Sequence, residues 1–275
     1  MTLHVLAAVG LYALIAKAVW KTWAFVVAVY AVNVLGVTAG AHRLWAHRSY
    51  VANLPYRVML MLFNCVALQN DVIEWSRDHR CHHKWSETDA DPHNFNRGFF
   101  FCHMGWLMER KHPDVSRKGQ TLDLQDLYAD PVLRFQRKFY RVLSLTCCFI
   151  LPTVLPALLW GESAVVSFLT AAIFRYVLVL HVTWCVNSVA HWLGSHPYDS
   201  RINPSQNWMT SFMAMGEGWH NYHHVFPSDY KAAELPYLLN FTTMFIDFFA
   251  LIGWTSARKV TPAKTIDNMK KLHGE

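Results

Sequence analysis

Residues 143–186 read "LSLTCCFILPTVLPALLWGESAVVSFLTAAIFRYVLVLHVTWCV", and this stretch determines the class of protein. It holds two apolar runs, 143–160 and 164–186, separated by a short turn with the sequence "WGES". A helix needs about 20 mainly apolar residues to cross about 30 Å of hydrocarbon, and both runs approach that length. The stretch therefore predicts a helical hairpin that crosses a membrane twice.

The N-terminal part of the chain predicts a second hairpin. Its apolar runs cover 2–20 and 23–41 and are joined by a tight turn at Lys21 and Thr22. The first run lacks a charged leading segment and a small-residue cleavage site, so we interpret it as a retained span and not as a secretory signal. The run begins abruptly, and we expect the natural protein to be longer.

Two hairpins with no span between them leave the segments 42–142 and 187–275 on one face of the membrane. A fifth apolar run, 59–68, is too short to span and is expected at the interface or in a core helix. The sequence contains no internal repeat and no flexible linker. We therefore predict a single all-α integral membrane domain, 1–275, with four membrane helices and a helical cap.

Charge and cysteine content narrow the class of protein further. The formal net charge is +6 and the pI is about 9.0, which suits a basic face toward anionic lipids or phosphorylated ligands, while the apolar runs argue against a nucleic-acid partner. The six cysteines contain no C-x-x-C pair and predict no disulfide framework. Lys17 and Lys21 lie on the opposite face to a larger group of cations, so the cap should be cytoplasmic. That group is Arg43, Arg48, Arg57, Arg134, Arg137, Lys138 and Arg141.

The cap carries a dense set of histidines. Residues at i, i+3 and i+4 share one helix face, so each of two triplets can converge on a common ligand. His42 and His47 lie five residues apart, about 140° around an ideal helix, and would reach two different metals or sit where the helix unwinds. The candidate ligands are His42, His47, His79, His82, His83, Asn187, His191, His220, His223 and His224.

Nine histidine donors exceed what one ion of four to six ligands can use, so two metals are the economical interpretation. A zinc hydrolase would leave half of these donors unexplained. A carboxylate di-iron bundle needs further glutamates beyond Glu217 of "EGWH" and Glu109 of "ERKH". A metal transporter would place its ligands inside the spans, but only His181 lies plainly inside an apolar stretch, and we interpret His181 as a packing or tunnel residue. A histidine-rich di-iron centre acting on a lipid remains.

With these motifs the chain resembles the membrane acyl-CoA desaturases of the stearoyl-CoA desaturase family. The resemblance runs from "GVTAGAHRLWAHRSY" through "QNDVIEWSRDHRCHHKWSETDADPHN", "RGFFFCHMGWL", "TWCVNSVAH" and "GEGWHNYHH" to "NFTTMFIDFFALIGW". It covers nearly the whole chain, and "TDADPHN" looks more like the insect branch than the mammalian one.

The resemblance implies four membrane helices with a cytosolic helical cap, and two iron ions (Fe2+) held by the nine histidines, with Asn187 reaching one iron through a water. It implies an endoplasmic reticulum enzyme that uses O2, and electrons from NADH through cytochrome b5 reductase and cytochrome b5, to place a cis double bond, delta-9-like, in a fatty acyl-CoA. No side chain need act as a separate acid or base. A hydroxylase or acetylenase on the same scaffold stays open.

The resemblance also implies substrate contacts. Coenzyme A would be held by Asn70, Arg77 and Asp78, with Arg110 and Lys111 near its phosphates, where guanidinium and ammonium groups suit phosphate. The bend of the acyl tunnel would be formed by Gln69, Trp75, Thr183 and Trp184. Tyr30 would shorten the accepted acyl chain at the far end. The residues of "DADPHN", Asp89, Asp91, His93 and Asn94, are interpreted as turn and cap residues.

Overall fold

The computed structural model describes residues 2–235 and 237–275, which are mainly helical. In chain order the elements are α1 (Thr2–Ala16), α2 (Trp20–Ala46), β1 (Val51–Ala52), α3 (Leu54–Ala67), α4 (Val72–Lys84), α5 (Phe99–His103), α6 (Pro113–Gly119), α7 (Gln125–Ala129), α8 (Pro131–Trp160), α9 (Ala164–His191), α10 (Trp208–Met213), α11 (His220–Val225), α12 (Phe241–Leu251), β2 (Thr255–Ser256) and α13 (Ala263–His273). Short 3-10 turns lie at Phe95–Arg97 and Gly105–Leu107.

Within the described residues three helices, α2, α8 and α9, are long and apolar enough to cross a membrane, and they indicate a membrane protein. The first apolar run forms α1, which is apolar but has only 15 residues. Helix α8 starts twelve residues before the predicted run. The Asp130 carboxylate accepts the Val132 N–H at 2.9 Å and Pro131 occupies the first turn, so the helix begins in a charged segment that hydropathy does not detect.

Helices α2 and α9 run in the same direction, from a shared polar contact to the histidine clusters. At their starts the Glu162 carboxylate accepts the Val19 N–H at 3.0 Å and the Thr22 hydroxyl at 2.6 Å. At their other ends lie His42 and His191, which both belong to the predicted metal site. The two helices therefore deliver their histidines to one side of the molecule.

Helix α1 packs along α9 in the opposite direction. The Nε2 atoms of His4 and His181 lie 3.1 Å apart near one end, and Leu14 packs against Ala171 near the other. Between these contacts a Cβ on Gly10 would lie 2.1 Å from the Leu169 carbonyl oxygen, so only glycine permits this close approach. His181 thus contacts α1 by a hydrogen bond.

The short apolar run predicted for 59–68 lies in α3, which is part of the core. Tyr56, Leu60 and Asn64, four residues apart, are fully buried, whereas Val58 and Leu62 on the opposite face are exposed. The helix therefore contributes a buried face to a core shared with α2 and α8 and keeps an apolar outer face. The strands β1 and β2 pair antiparallel beside it.

Candidate metal centre

Nine histidines form two adjacent groups, and within each group one ring nitrogen per residue lies within 4.8 Å of all the others. The five-histidine group contains His42, His47, His79, His83 and His223. The four-histidine group contains His82, His191, His220 and His224. The structure thus brings together every histidine that the sequence proposed as a ligand.

The triplets do not each converge on one ligand, as the spacing suggested. In α4, whose first turn is capped by the Asp71 carboxylate, His79 and His83 join the five-histidine group while His82 joins the four-histidine group. In α11, His223 joins the five-histidine group while His220 and His224 join the four-histidine group. Each of these two helices therefore supplies histidines to both groups, because α4 and α11 face each other across the site.

His42 and His47 belong to the same group because the end of α2 is not an ideal α-helix. Gly36–Ala46 is π-helical, and the His47 N–H donates to the His42 carbonyl oxygen at 3.0 Å, an i→i+5 bond. A wider turn brings residues five apart nearly into line, and their ring centroids lie 4.8 Å apart. The alternative that they reach two different metals does not hold for this arrangement.

The nitrogen contacts fit a bound cation better than imidazole pairs. The His223 Nε2 lies 2.9 Å from the Nε2 atoms of both His42 and His83, and the His220 Nε2 lies 3.1 Å from those of His191 and His224. A neutral imidazole has one N–H, so its Nε2 cannot satisfy two neighbouring nitrogens that face it. A metal ion accepts all of these lone pairs at once.

Burial keeps six of the imidazoles neutral. Desolvation, reinforced by neighbouring histidines, lowers the pKa of six of them well below the ordinary value. Neutral imidazole is the form that binds transition metals. The six residues are His47, His79, His83, His220, His223 and His224.

Carboxylates behind the rings orient three of the histidines. The Nδ1 atoms of His42 and His82 lie 2.9 Å from Glu217 and Asp91 respectively, and a longer contact of 3.4 Å joins His191 to Glu87. A ligating histidine usually donates its second N–H in this way, which fixes the ring and raises its basicity. Sequence reasoning saw Glu217 only as part of an E-x-x-H string and did not foresee this role.

Asp91 combines the predicted turn role with a second contact. Its carboxylate accepts the backbone N–H groups of Glu87 at 2.9 Å and His93 at 3.1 Å, as a capping residue does, and also faces His82. Burial alone would raise the pKa of Asp91, but the neighbouring His82 and His93 lower it below the usual range. Burial lowers the pKa of His93 to about 3. Reading Asp91 as purely structural was therefore incomplete.

Arg43 is not a cation at the membrane surface, contrary to the sequence interpretation. Its side chain is 1% exposed, and its Nε donates to the Glu217 carboxylate at 2.9 Å. Its other nitrogens donate to the Tyr230 carbonyl, the Thr243 hydroxyl and the Asn240 side chain. Burial alone would raise the pKa of Glu217, but the charge of Arg43 holds it below the ordinary value. Arg43 thus stabilises the carboxylate that orients His42.

Two cavities meet beside the histidine groups. Both are lined by Trp75, His79, Thr183 and Asn187. The inner cavity continues along apolar residues of α2 and α9, among them Val34. Trp75 stacks on the His79 ring with 4.9 Å between centroids, so the wall of the cavity is also the edge of the five-histidine group.

The outer cavity collects most of the predicted substrate residues. It is lined by Gln69, Asn70 and Asp78 together with Trp184, and the Gln69 amide donates to the Thr183 hydroxyl at 3.1 Å across the bend. Tyr30 does not line either cavity. It lies one helical turn before Val34 and donates its hydroxyl to the Met213 carbonyl at 2.5 Å.

The basic residues predicted near coenzyme A lie at the rim. Asp78 accepts from Arg77 at 2.7 Å and from Lys111, while Glu74 lies 3.6 Å from Arg77. Lys111 and Arg110 line a neighbouring surface pocket. Arg77 and Lys111 are thus held together by carboxylates and partly exposed, which leaves N–H donors directed to solvent.

The chain is similar to known fatty acid desaturases. The sequence profile named "Fatty acid desaturase" matches residues 18–238. The chain is 54% identical to Delta(9)-fatty-acid desaturase fat-5 of Caenorhabditis elegans over 100% of this chain and 82% of that protein. It is 53% identical to the Acyl-CoA Delta-9 desaturase of Acheta domesticus (99% and 76%) and to Stearoyl-CoA desaturase 5 of Bos taurus (100% and 82%). These nearly equal identities do not single out the insect branch.

Proposed function

This chain belongs to the fatty acid desaturase family, and we propose that it is an O2-dependent acyl-CoA desaturase that introduces a cis double bond at the delta-9 position. The observation that carries the proposal is the pair of histidine groups beside an apolar cavity. Relatives from a nematode, an insect and a mammal carry desaturase names, two of them with delta-9 specificity. The chain is accordingly an oxidoreductase.

We propose that the two groups hold two iron ions. The five-histidine group would hold one, and the four-histidine group, with Asn187 acting through a water, would hold the other. When bound, the irons would supply the activation of O2 and the removal of two hydrogens from adjacent methylenes. The protein's part is to keep six of the imidazoles neutral by burial, to orient His42, His82 and His191 through Glu217, Asp91 and Glu87, and to exclude bulk water from the buried rings.

The substrate would enter through the outer cavity with its acyl chain in the inner one. The Arg77–Asp78–Lys111 cluster suits the phosphates of coenzyme A, because guanidinium and ammonium groups held at an aqueous rim bind phosphate well. Arg110 and Asn70 would extend this binding surface, and Gln69, Trp75, Thr183 and Trp184 would shape the bend that selects the reacting carbons. Tyr30, beyond Val34, would limit the length of the acyl chain.

The membrane arrangement follows from the helix directions. We propose that α1 completes a set of four spans with α2, α8 and α9, because α1 is apolar and runs antiparallel to α9 along its length. The cap with the histidine groups would then face the cytosol at the endoplasmic reticulum membrane. In that position it could receive electrons from cytochrome b5 and its NADH-dependent reductase.

The test is a product analysis. The chain, in membranes that supply cytochrome b5, its reductase and NADH, is given carbon-labelled stearoyl-CoA, and the product is analysed by mass and by cleavage at the double bond. We expect a loss of two hydrogens and a cis bond at carbon 9. A product heavier by one oxygen would indicate a hydroxylase instead, and no product under conditions where a known relative is active would refute the proposal.

A further inference from the structure

Arg175 is a cation buried inside the membrane helices with no acidic partner. Its side chain is 0% exposed in the middle of α9. Among residues 2–235 and 237–275, no carboxylate lies within 4.0 Å of its nitrogens. A charge in this environment is costly, and such residues usually face the bundle interior and serve a function. The metal site and the proposed substrate contacts do not use it.

The guanidinium binds three backbone carbonyls from three helices. Its Nε donates to Ala171 at 3.1 Å, Nη1 to Val66 at 3.1 Å and Nη2 to Cys148 at 2.6 Å. Ala171 and Cys148 lie in the π-helical segments Phe168–Phe174 and Thr146–Ile150. The backbone N–H of Arg175 donates to the carbonyls of Thr170 and Ala172, on either side of Ala171, and it is the Arg175 side chain that donates to Ala171.

The Val66 carbonyl belongs to the last turn of α3, which a cation stabilises through the helix dipole. Directly after it the chain makes a strained turn: Leu68 has φ 48° and ψ 49°, and Asn70 has φ 72°. A left-handed conformation is unfavourable for leucine and persists only where the surroundings impose it. Gln69, between the two, reaches across the cavity to Thr183.

We infer that Arg175 is a positioning residue that fixes this turn and thereby decides which acyl carbons lie beside the metal groups. Leu68, Gln69 and Asn70 all line the outer cavity, whereas the hydrogen bonds described for the Arg175 side chain go to Ala171, Val66 and Cys148. Arg175 ties the end of α3 to α8 and α9, so the turn keeps a fixed distance from Thr183 on the opposite wall. The inference rests on the proposed desaturase function and names the residue that sets its regiospecificity.

The experiment compares the wild-type chain with Arg175→Lys and Arg175→Gln. Lysine keeps the charge but cannot reach three diverging carbonyls. A displacement of about 1 Å at the reacting carbons lowers the rate about 100-fold. We expect both variants to retain wild-type iron content, to lose about 10- to 100-fold in kcat/KM, and to give mixed double-bond positions where wild type gives one. Cys148→Ala, which removes a thiol contact at 3.6 Å but keeps the carbonyl, should leave the bond position unchanged.

A purely structural role would lower iron content and yield together and leave the bond position of the residual product intact, and that result would overturn the inference. An unchanged double-bond position together with an unchanged kcat/KM in the variants would also overturn the inference. If Arg175→Gln does not accumulate, Arg175→Lys is examined with Leu68→Gly, because glycine adopts the left-handed conformation without strain. Once glycine has removed the strain, the turn should no longer depend on Arg175, so the double variant should give the same double-bond positions as Leu68→Gly alone. If the double variant gives the same mixture of double-bond positions as Arg175→Lys, that result would count against the inference.

A binding measurement separates this inference from the proposed function. Quenching of tryptophan fluorescence by stearoyl-CoA reports on Trp75 and Trp184, which line the cavity, and needs no turnover. If the wild-type chain binds stearoyl-CoA but forms no desaturated product, the proposed function fails, and weaker binding to Arg175→Lys still supports the inference. Equal binding by both proteins together with an unchanged bond position would overturn it.

Discussion

Replacing Glu217 by glutamine should weaken metal binding at the five-histidine group while the four-histidine group stays intact. The carboxylate is 6% exposed, accepts from His42 at 2.9 Å and accepts from Arg43 at 2.9 Å. Glutamine has one acceptor oxygen, so it can satisfy one of these donors while its amide N–H groups face the other. Loss of such an orienting partner lowers metal affinity about 10- to 100-fold, or about 1.4–2.8 kcal/mol.

The folded state should survive this change. Removing one member of a buried ion pair costs about 3–5 kcal/mol. Arg43 nevertheless keeps three other acceptors, Tyr230, Thr243 and Asn240, at 2.9–3.2 Å, which places the expected cost near 3 kcal/mol. The free energy of unfolding should therefore fall without loss of the fold, and the metal effect can be measured on purified protein.

The assay titrates an iron chelator against the purified chain and follows the iron retained per protein. Wild type should release its iron in steps that reflect two sites, and in Glu217→Gln one step should move to about 10- to 100-fold lower chelator concentration. Glu87→Gln is the matched control, because the same chemical change there breaks a contact of 3.4 Å at a carboxylate that is 19% exposed, and its shift should be smaller. Wild-type release from Glu217→Gln would refute the orienting role.

Three further changes are predicted. Asp91→Asn should shift the other step of the chelator titration, because Asp91 orients His82 at 2.9 Å, and a shift in the Glu217 step instead would contradict the assignment. Tyr30→Ala should admit longer acyl chains, and an unchanged chain-length profile of the products would disprove the proposed limit. Glu162→Ala should lower the thermal midpoint by leaving the buried Thr22 hydroxyl without its 2.6 Å acceptor, a loss of about 1–3 kcal/mol, and an unchanged midpoint would argue against this contact.

The membrane helices were predictable because hydropathy is a local property of the chain. The predicted run 143–160 ends at the same residue as α8, and the predicted run 164–186 begins at the same residue as α9, so the turn between them was placed correctly. The charged beginning of α8 at Pro131 was missed, since a helix that leaves the membrane keeps its hydrogen bonds while its side chains become polar. Only the N-terminal capping residue, Asp130, could have indicated that the helix begins at Pro131.

The histidines were predictable as a set but not in their partition. Their number and spacing make a metal site the simplest explanation, and those features can be read from the sequence. The division of His79 and His83 from His82 depends on how α4 meets α11, which is a tertiary contact. The common placement of His42 and His47 depends on a π-helical segment that residue spacing does not reveal.

The orienting carboxylates were missed because they are distant in sequence from their partners. Glu217 is separated from His42 by 175 positions and Glu87 from His191 by 104, and only packing joins them. Asp91 was noticed, but its position before Pro92 suggested a turn, which it also makes. A buried acid close to a predicted ligand cluster is the signal that could have identified it.

The most direct test of the account is the iron content of the detergent-purified chain, expressed with iron, beside the double variant His82→Ala, His83→Ala. These two adjacent residues belong to different groups, so the variant removes one donor from each. We predict about two irons per wild-type chain, as two histidine groups require, and their loss from the double variant. A single zinc in the wild type, or iron that the double variant retains, would contradict the account.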